Sequence, residues 1–157
     1  MKALNRLLVF TGLISMLTAC ANNGAVIDTN QAIIGENWSY INKVRVPVTI
    51  DDEKAVYSIF VNLRHTGDYK YSNIFLLIHQ VGPDGRRVTE RREFKLANPD
   101  GEWLGSGSGS LYSYQLPFKD SYRFPQKGKY VFEIEQNMRD NPLKEVTDAG
   151  LRVEKVE

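Results

Sequence analysis

The chain has 157 residues, 20 Lys+Arg against 19 Asp+Glu, two histidines and one cysteine. A near-neutral balance gives no sign of a nucleic-acid partner. A single cysteine excludes an internal disulfide framework.

Lys2 and Arg6 precede an apolar run from Leu7 to Leu17, and Leu17-Thr18-Ala19-Cys20 closes it. A basic start, a short apolar middle and small residues before a cut are the pattern of a secretory signal peptide. The run falls short of the about 20 apolar residues that span a bilayer. Leu-x-Ala-Cys resembles the lipobox of bacterial lipoproteins, which implies cleavage before Cys20 and lipidation of its sulfur. Two or three acyl chains anchor a protein stably, since each buried methylene contributes about 0.8 kcal/mol. Loss of residues 1–19 leaves 138 residues with 18 basic and 19 acidic groups, a net charge of −1.

Residues 20–36 are polar and small and read as the lipidated N-terminus and a tether, with Val26-Ile27 and Ile33-Ile34 as spots able to add an edge strand. No acidic cluster follows Cys20, which leans towards the periplasmic face of the outer membrane. Residues 37–157 read as one β domain. Val44, Val46, Val48 and Ile50 alternate with polar residues, and Pro47 places this strand at an edge or bulge. Tyr57, Ile59, Val61 and Leu63 form the next apolar face. The unbroken run Ile74–Ile78 predicts a central strand buried on both sides. Gly82-Pro83-Asp84-Gly85 is a turn, and Val88–Leu96, with a charged middle, its hairpin partner near an edge. Pro99-Asp100-Gly101 predicts a second turn, and Gly105–Ser110, alternating Gly and Ser, a flexible loop whose glycines let backbone pack closely. Leu111–Pro117, Lys129–Gln136 and Ala149–Val156 complete the strands. Within the third, Tyr130, Phe132 and Ile134 share one face, opposite Glu133 and Glu135. Seven or eight short strands with frequent turns predict an all-β fold, a single antiparallel sandwich of jelly-roll or immunoglobulin-like type.

Chemistry is sparse. His65 and His79 lie on different strands without metal-ligand spacing, and His79 reads as a satisfied structural histidine. Asp51-Asp52-Glu53, Asp84 and Asp100 lack the spacing of a calcium loop and read as turn caps. Arg86-Arg87 and Arg91-Arg92, interrupted by Glu90 and Glu93, read as cross-strand pairing on a solvated face rather than phosphate binding. Neither a nucleophile–base set nor a cofactor motif is visible, so no enzyme activity and no cofactor are expected. Tyr69, Tyr71, Trp103, Tyr112, Tyr114, Tyr122 and Phe124 gather at strand ends and loops. Aromatic side chains there either stack on sugars or anchor a protein, or they cover the open ends of the sandwich.

Asn62-Leu63-Arg64-His65-Thr66-Gly67-Asp68-Tyr69-x-Tyr71-Ser72-Asn73 resembles a signature of the gliding-motility lipoprotein family GldH of Bacteroidetes. Further blocks agree: Gly101-x-Trp103-Leu104-Gly105-x-Gly107-x-Gly109 with Tyr112, Phe124-Pro125-x-x-Gly128-x-Tyr130, Glu135-Gln136-x-Met138-Arg139-x-x-Pro142-Leu143, and Asp148-x-Gly150-Leu151-Arg152. The resemblance implies a non-enzymatic outer-membrane lipoprotein that supports the gliding apparatus and associated secretion through contacts with other envelope proteins. A carbohydrate-binding lipoprotein, for glycan or peptidoglycan, is the alternative. The candidate partner-binding residues are Arg64, His65, Asp68, Tyr69, Tyr71, Asn73, Trp103 and Arg139. Residues 64–73 break the apolar alternation between two central-looking strands. They read either as a recognition loop, with Tyr69 and Tyr71 as a paired aromatic face and Arg64 bracing Asp68, or as a self-contained loop whose polar groups satisfy one another.

Overall fold

The computed structural model describes residues 24–156. Cys20 and the signal segment lie outside the described residues. Two antiparallel sheets pack face to face. The first orders β1 (Ala25–Ala32), β11 (Val146–Val156), β4 (Val56–Thr66), β8 (Leu111–Tyr122) and β7 (Ser106–Ser108). The second orders β3 (Val44–Ile50), β9 (Gly128–Gln136), β5 (Asn73–Val81) and β6 (Arg87–Lys95). A two-residue ladder of β2 (Asn37–Trp38) and β10 (Leu143–Lys144) closes one end. The chain is an all-β sandwich.

Period-two alternation places the core. Val44, Val46, Val48 and Ile50 of β3, Ile74, Leu76 and Ile78 of β5 and Tyr130, Phe132 and Ile134 of β9 are buried. They meet Ile59, Val61 and Leu63 of β4, Leu116 and Phe118 of β8 and Ala149, Leu151 and Val153 of β11. Pro47 lies on β3, which is an edge strand, so its missing N–H costs no central ladder bond. The charged strand β6 is the opposite edge. Glu133 and Glu135 on the outer face of β9 are paired, Glu133 with Arg87 at 2.8 Å and Glu135 with Lys43 at 2.7 Å.

Three expectations need correction. β5 is central, but only its inner face is buried; Phe75 and Leu77 on its other face are half-covered. Among the described residues the sandwich has two layers and none covers that face; the Arg91 guanidinium lies 4.0 Å from the Phe75 ring centre instead. The tether is shorter than residues 20–36, because Ala25–Ala32 pair with β11 from Ala25↔Glu154 to Ala32↔Asp148. Asp28, a residue of the supposed tether, bonds Arg152 at 2.7 Å, and Ile27 packs on the core. The Gly-Ser run is also structured: Ser106–Ser108 pair with Leu111–Ser113 as edge strand β7. Its glycines do permit close approach, since a Cβ on Gly105 would sit 2.6 Å from the Tyr114 ring.

Candidate functional site

The eight candidate residues separate into three environments. The first is an aromatic cage around His65, which is fully buried. Its ring centre lies 4.5 Å from Trp103, 4.8 Å from Tyr69, 5.2 Å from Tyr114 and 5.8 Å from Tyr112. His65 Nδ1 meets the Thr66 carbonyl at 2.7 Å and therefore donates. Nε2 meets the Tyr114 hydroxyl at 3.1 Å, and that hydroxyl also reaches the Leu96 carbonyl at 2.9 Å. Desolvation lowers the His65 pKa below its usual value, so the ring is neutral at pH 7. The tautomer fixed by the Thr66 carbonyl leaves Nε2 as an acceptor. Burial pushes the Tyr114 hydroxyl up to about 12, so it keeps its single proton, which it donates to the Leu96 carbonyl at 2.9 Å with Nε2 as the competing acceptor.

Tyr69 is only 4% exposed, and its hydroxyl donates to the Asn73 carbonyl at 3.1 Å. Its ring meets that of Tyr71 edge-on, at 6.0 Å. The tyrosine pair exists, but Tyr69 is spent inside the fold and offers a partner no paired aromatic face. Tyr71, Trp103, Tyr112 and Tyr122 are half-buried against the core, and Tyr114 and Phe124 are buried. These rings cover the ends of the sandwich, and none of them presents an open stacking platform.

The second environment is the outer surface of the sheets. Arg64 does not brace Asp68. Its Nε donates to Asp148 Oδ2 at 2.6 Å, across the β4–β11 pair. Asp148 is nearly buried and also accepts from Asn30 at 3.1 Å and Thr147 at 3.1 Å. Asn73 donates to Glu93 at 2.6 Å on the second sheet. Both side chains knit strands together.

The third environment brings Asp68, Tyr71 and Arg139 into one groove of about 530 Å³ between the β4–β5 loop and residues 139–145. Asp68 and Arg139 are exposed. The groove also holds Lys70 and Asp140, which pair at 3.0 Å, with the Lys70 ammonium 5.0 Å from the Tyr71 ring centre. Bonds from Tyr71 and Lys70 lower the Asp140 pKa, so this carboxylate stays ionised. One wall is pinned from inside. Gln136 is fully buried, donates to the Asp140 carbonyl at 3.2 Å and accepts from the Met138 N–H at 2.8 Å. The other wall is held by Thr66, whose hydroxyl donates to Glu145 at 2.5 Å. Lys70, Asp140 and Gln136 were not among the sequence-derived candidates. The polar run that breaks off the alternation after Ile134, from Glu135 through Asn141, was the available signal.

Several other titratable groups have structural roles. His79 is nearly buried between Thr89 at 2.8 Å and Glu135 at 3.3 Å. Asp52, Asp84 and Asp100 each cap a turn by accepting the N–H two residues on, at 3.0, 3.0 and 3.1 Å. Arg87 and Arg92 pair with Glu133 and Glu90, each at 2.8 Å.

A family model described as GldH lipoprotein matches residues 25–153, from the first strand to the last. A protein from Christiangramia forsetii named gliding motility lipoprotein GldH homolog is 32% identical over 162 aligned residues, covering 99% of this chain and 98% of its own. The gliding motility lipoprotein GldH of Flavobacterium johnsoniae is 31% identical over 128 residues, covering 77% of this chain and 79% of its own. No solved structure matches.

Proposed function

The chain belongs to the GldH lipoprotein family, and from that premise we propose that it is a non-enzymatic lipoprotein of the gliding-motility and associated secretion apparatus. On this reading it is anchored through Cys20 to the periplasmic face of the outer membrane and works by contact with other envelope proteins. The names of its relatives support the gliding role. The observation that carries the mode of action is the groove of Asp68, Lys70, Tyr71, Arg139 and Asp140. It sets charged groups of both signs around one half-buried tyrosine, on walls held by Gln136 and Thr66. Such a polar, mixed-charge depression on a rigid base suits recognition of a complementary protein loop. The carbohydrate alternative called for a set of exposed rings; Tyr69, Trp103 and Tyr114 are turned into the cage, which leaves Tyr71 alone in the groove.

In-cell photo-crosslinking tests this. A photoreactive residue at Asp68, Lys70 or Arg139 is expected to trap envelope proteins, identified by mass spectrometry. A probe on the solvent-facing side of β6, at Thr89, is expected to trap fewer. Absence of protein adducts at all three groove positions, with muropeptides co-purifying instead, would overturn the protein-contact reading.

A further inference from the structure

Seven large apolar side chains are exposed among the described residues, and their placement is uneven. Ile34, Tyr40 and Ile41 lie in the connection from β1 to β3, with Ile34 94% and Ile41 75% exposed. Val26 lies on β1, and Val156 ends β11 beside the start of β1. Only Val88 and Leu104 lie elsewhere, on β6 and just before β7. The edge strands β1 and β3 face each other on one side of the sandwich. Ile34, Tyr40 and Ile41 thus gather at one end of this side, with Val26 and, beside it on β11, Val156 at the other end. At the first of these ends, Ile34 and Ile41 line a groove of about 530 Å³ that also includes Trp38, Val44, Lys43 and Arg45.

The side carrying these residues is also the side tied to the membrane. β1 begins five residues after Cys20, so its start stays within about 18 Å of the lipidated residue even with the chain fully extended. From there β1 runs about 25 Å to the Ile34 patch. Two poses satisfy the tether. In one the domain stands on the end holding Gly24, which presses the Asp51-Asp52-Glu53 loop towards the lipid; Asp52 is at that end, 3.0 Å from Lys155, whose N–H bonds the Gly24 carbonyl. In the other the domain lies on its β1–β3 side. That pose buries the exposed isoleucines and sets Tyr40 at headgroup depth. Lys43 and Arg45 on this side are paired with Glu135 at 2.7 Å and Glu133 at 3.3 Å, and Glu36 is exposed, so apolar burial and not net positive charge carries the contact.

We propose that the domain lies on the lipid bilayer along its β1–β3 side, held at two points: the lipid on Cys20 and an inserted patch of Ile34, Tyr40 and Ile41. The inference rests on the anchored-lipoprotein reading. It turns the side formed by β6 and β7 away from the lipid and sets the Asp68–Arg139 groove beside the membrane-facing patch, since the Tyr40 N–H donates to Asn141 Oδ1 of that groove at 3.1 Å. It also accounts for the open β1 and β3 edges, since a strand edge turned to the membrane is shielded from pairing with another chain.

The test uses the full acylated chain in vesicles of phosphatidylethanolamine and phosphatidylglycerol. Acylation of Cys20 occupies the single native thiol, so Ile41→Cys and, as control, Leu104→Cys each accept one polarity-sensitive fluorophore. The label at 41 is expected to shift to the blue and to be quenched several-fold more than the label at 104 by lipids brominated along the acyl chain. Equal, water-like emission at both positions would overturn the proposal. So would a blue shift seen only in native membranes, since a protein would then cover the patch. Labelling of the unsubstituted chain at Cys20 marks failure of the anchor reading instead. The label at 41 is then read on the Cys20→Ser chain added to the same vesicles, where a shift upholds the patch and none rejects it.

Discussion

Tyr69 separates the two readings of the loop from Arg64 to Asn73. If it were a surface anchor for a partner, truncating it would leave the fold intact. In the structure it is 4% exposed, packs 4.8 Å from His65 and 6.3 Å from Trp103, and donates a hydrogen bond to Asn73. Tyr69→Phe removes only that hydrogen bond and is expected to cost about 0.5–1.5 kcal/mol. Tyr69→Ala also removes the ring and leaves a hole in the cage, for a total of about 3–5 kcal/mol. A typical domain has about 5–15 kcal/mol in all, so the Ala variant sits near the edge of folding. Urea unfolding followed by the fluorescence of Trp38 and Trp103 measures both steps, with an unchanged m-value required for the comparison. An Ala variant within about 1 kcal/mol of the parent would refute the reasoning and return Tyr69 to the surface. Until the folded fraction is known, lost crosslinks in a Tyr69 variant say nothing about a partner.

Cys20→Ala is expected to abolish acylation and to move the protein to the soluble periplasmic fraction or leave it as precursor; fractionation and mass spectrometry check this. His65 gives the fold an acid-sensitive component. Its folded pKa is depressed below 6.5 by burial, so the unfolded chain binds more protons and the His65 contribution, intact above pH 6.5, is lost as pH falls below it. Urea midpoints between pH 7.5 and 5 should fall less steeply in His65→Phe than in the parent; parallel profiles would show that His65 titrates normally. Gly150→Ala should pry β1 from β11, because its Cβ would sit 1.9 Å from the Thr29 carbonyl oxygen. A loss of about 1–3 kcal/mol is expected, with residues 25–32 exchanging amide hydrogen first; unchanged protection there would show that the strands separate without cost. Phe132→Ala, at a fully buried position, should cost about 3–5 kcal/mol by thermal or urea unfolding.

What the sequence determined by itself is local. Alternation marked the inner faces of β3, β4 and β9, because successive side chains of a strand point to opposite sides whatever lies beyond them. Pro47 marked an edge because it lacks a donor, and the Pro-Asp-Gly triplets marked turns through their own backbone preferences. The family blocks were legible for the same reason, as short strings read without reference to distant residues. Everything that depended on a distant partner was decided by the tertiary structure. Arg64 looked towards Asp68, four residues on, but meets Asp148, 84 residues away, because β4 pairs with β11. Ala25–Ala32 read as a tether because an edge strand carries little apolar signal of its own; its ladder is supplied by β11. The β5 run read as buried on both faces, but among the described residues no third layer packs over its outer side. Tyr69 and Tyr71 share a face by period, yet only the packing of Trp103, Tyr112 and Tyr114 around His65 decides that Tyr69 points into a cage and that Asp68, Tyr71 and Arg139 are left to form the open groove. Periodicity specifies which side of a strand a residue takes, and burial specifies what covers it; only the second depends on chain segments that sequence distance does not reveal.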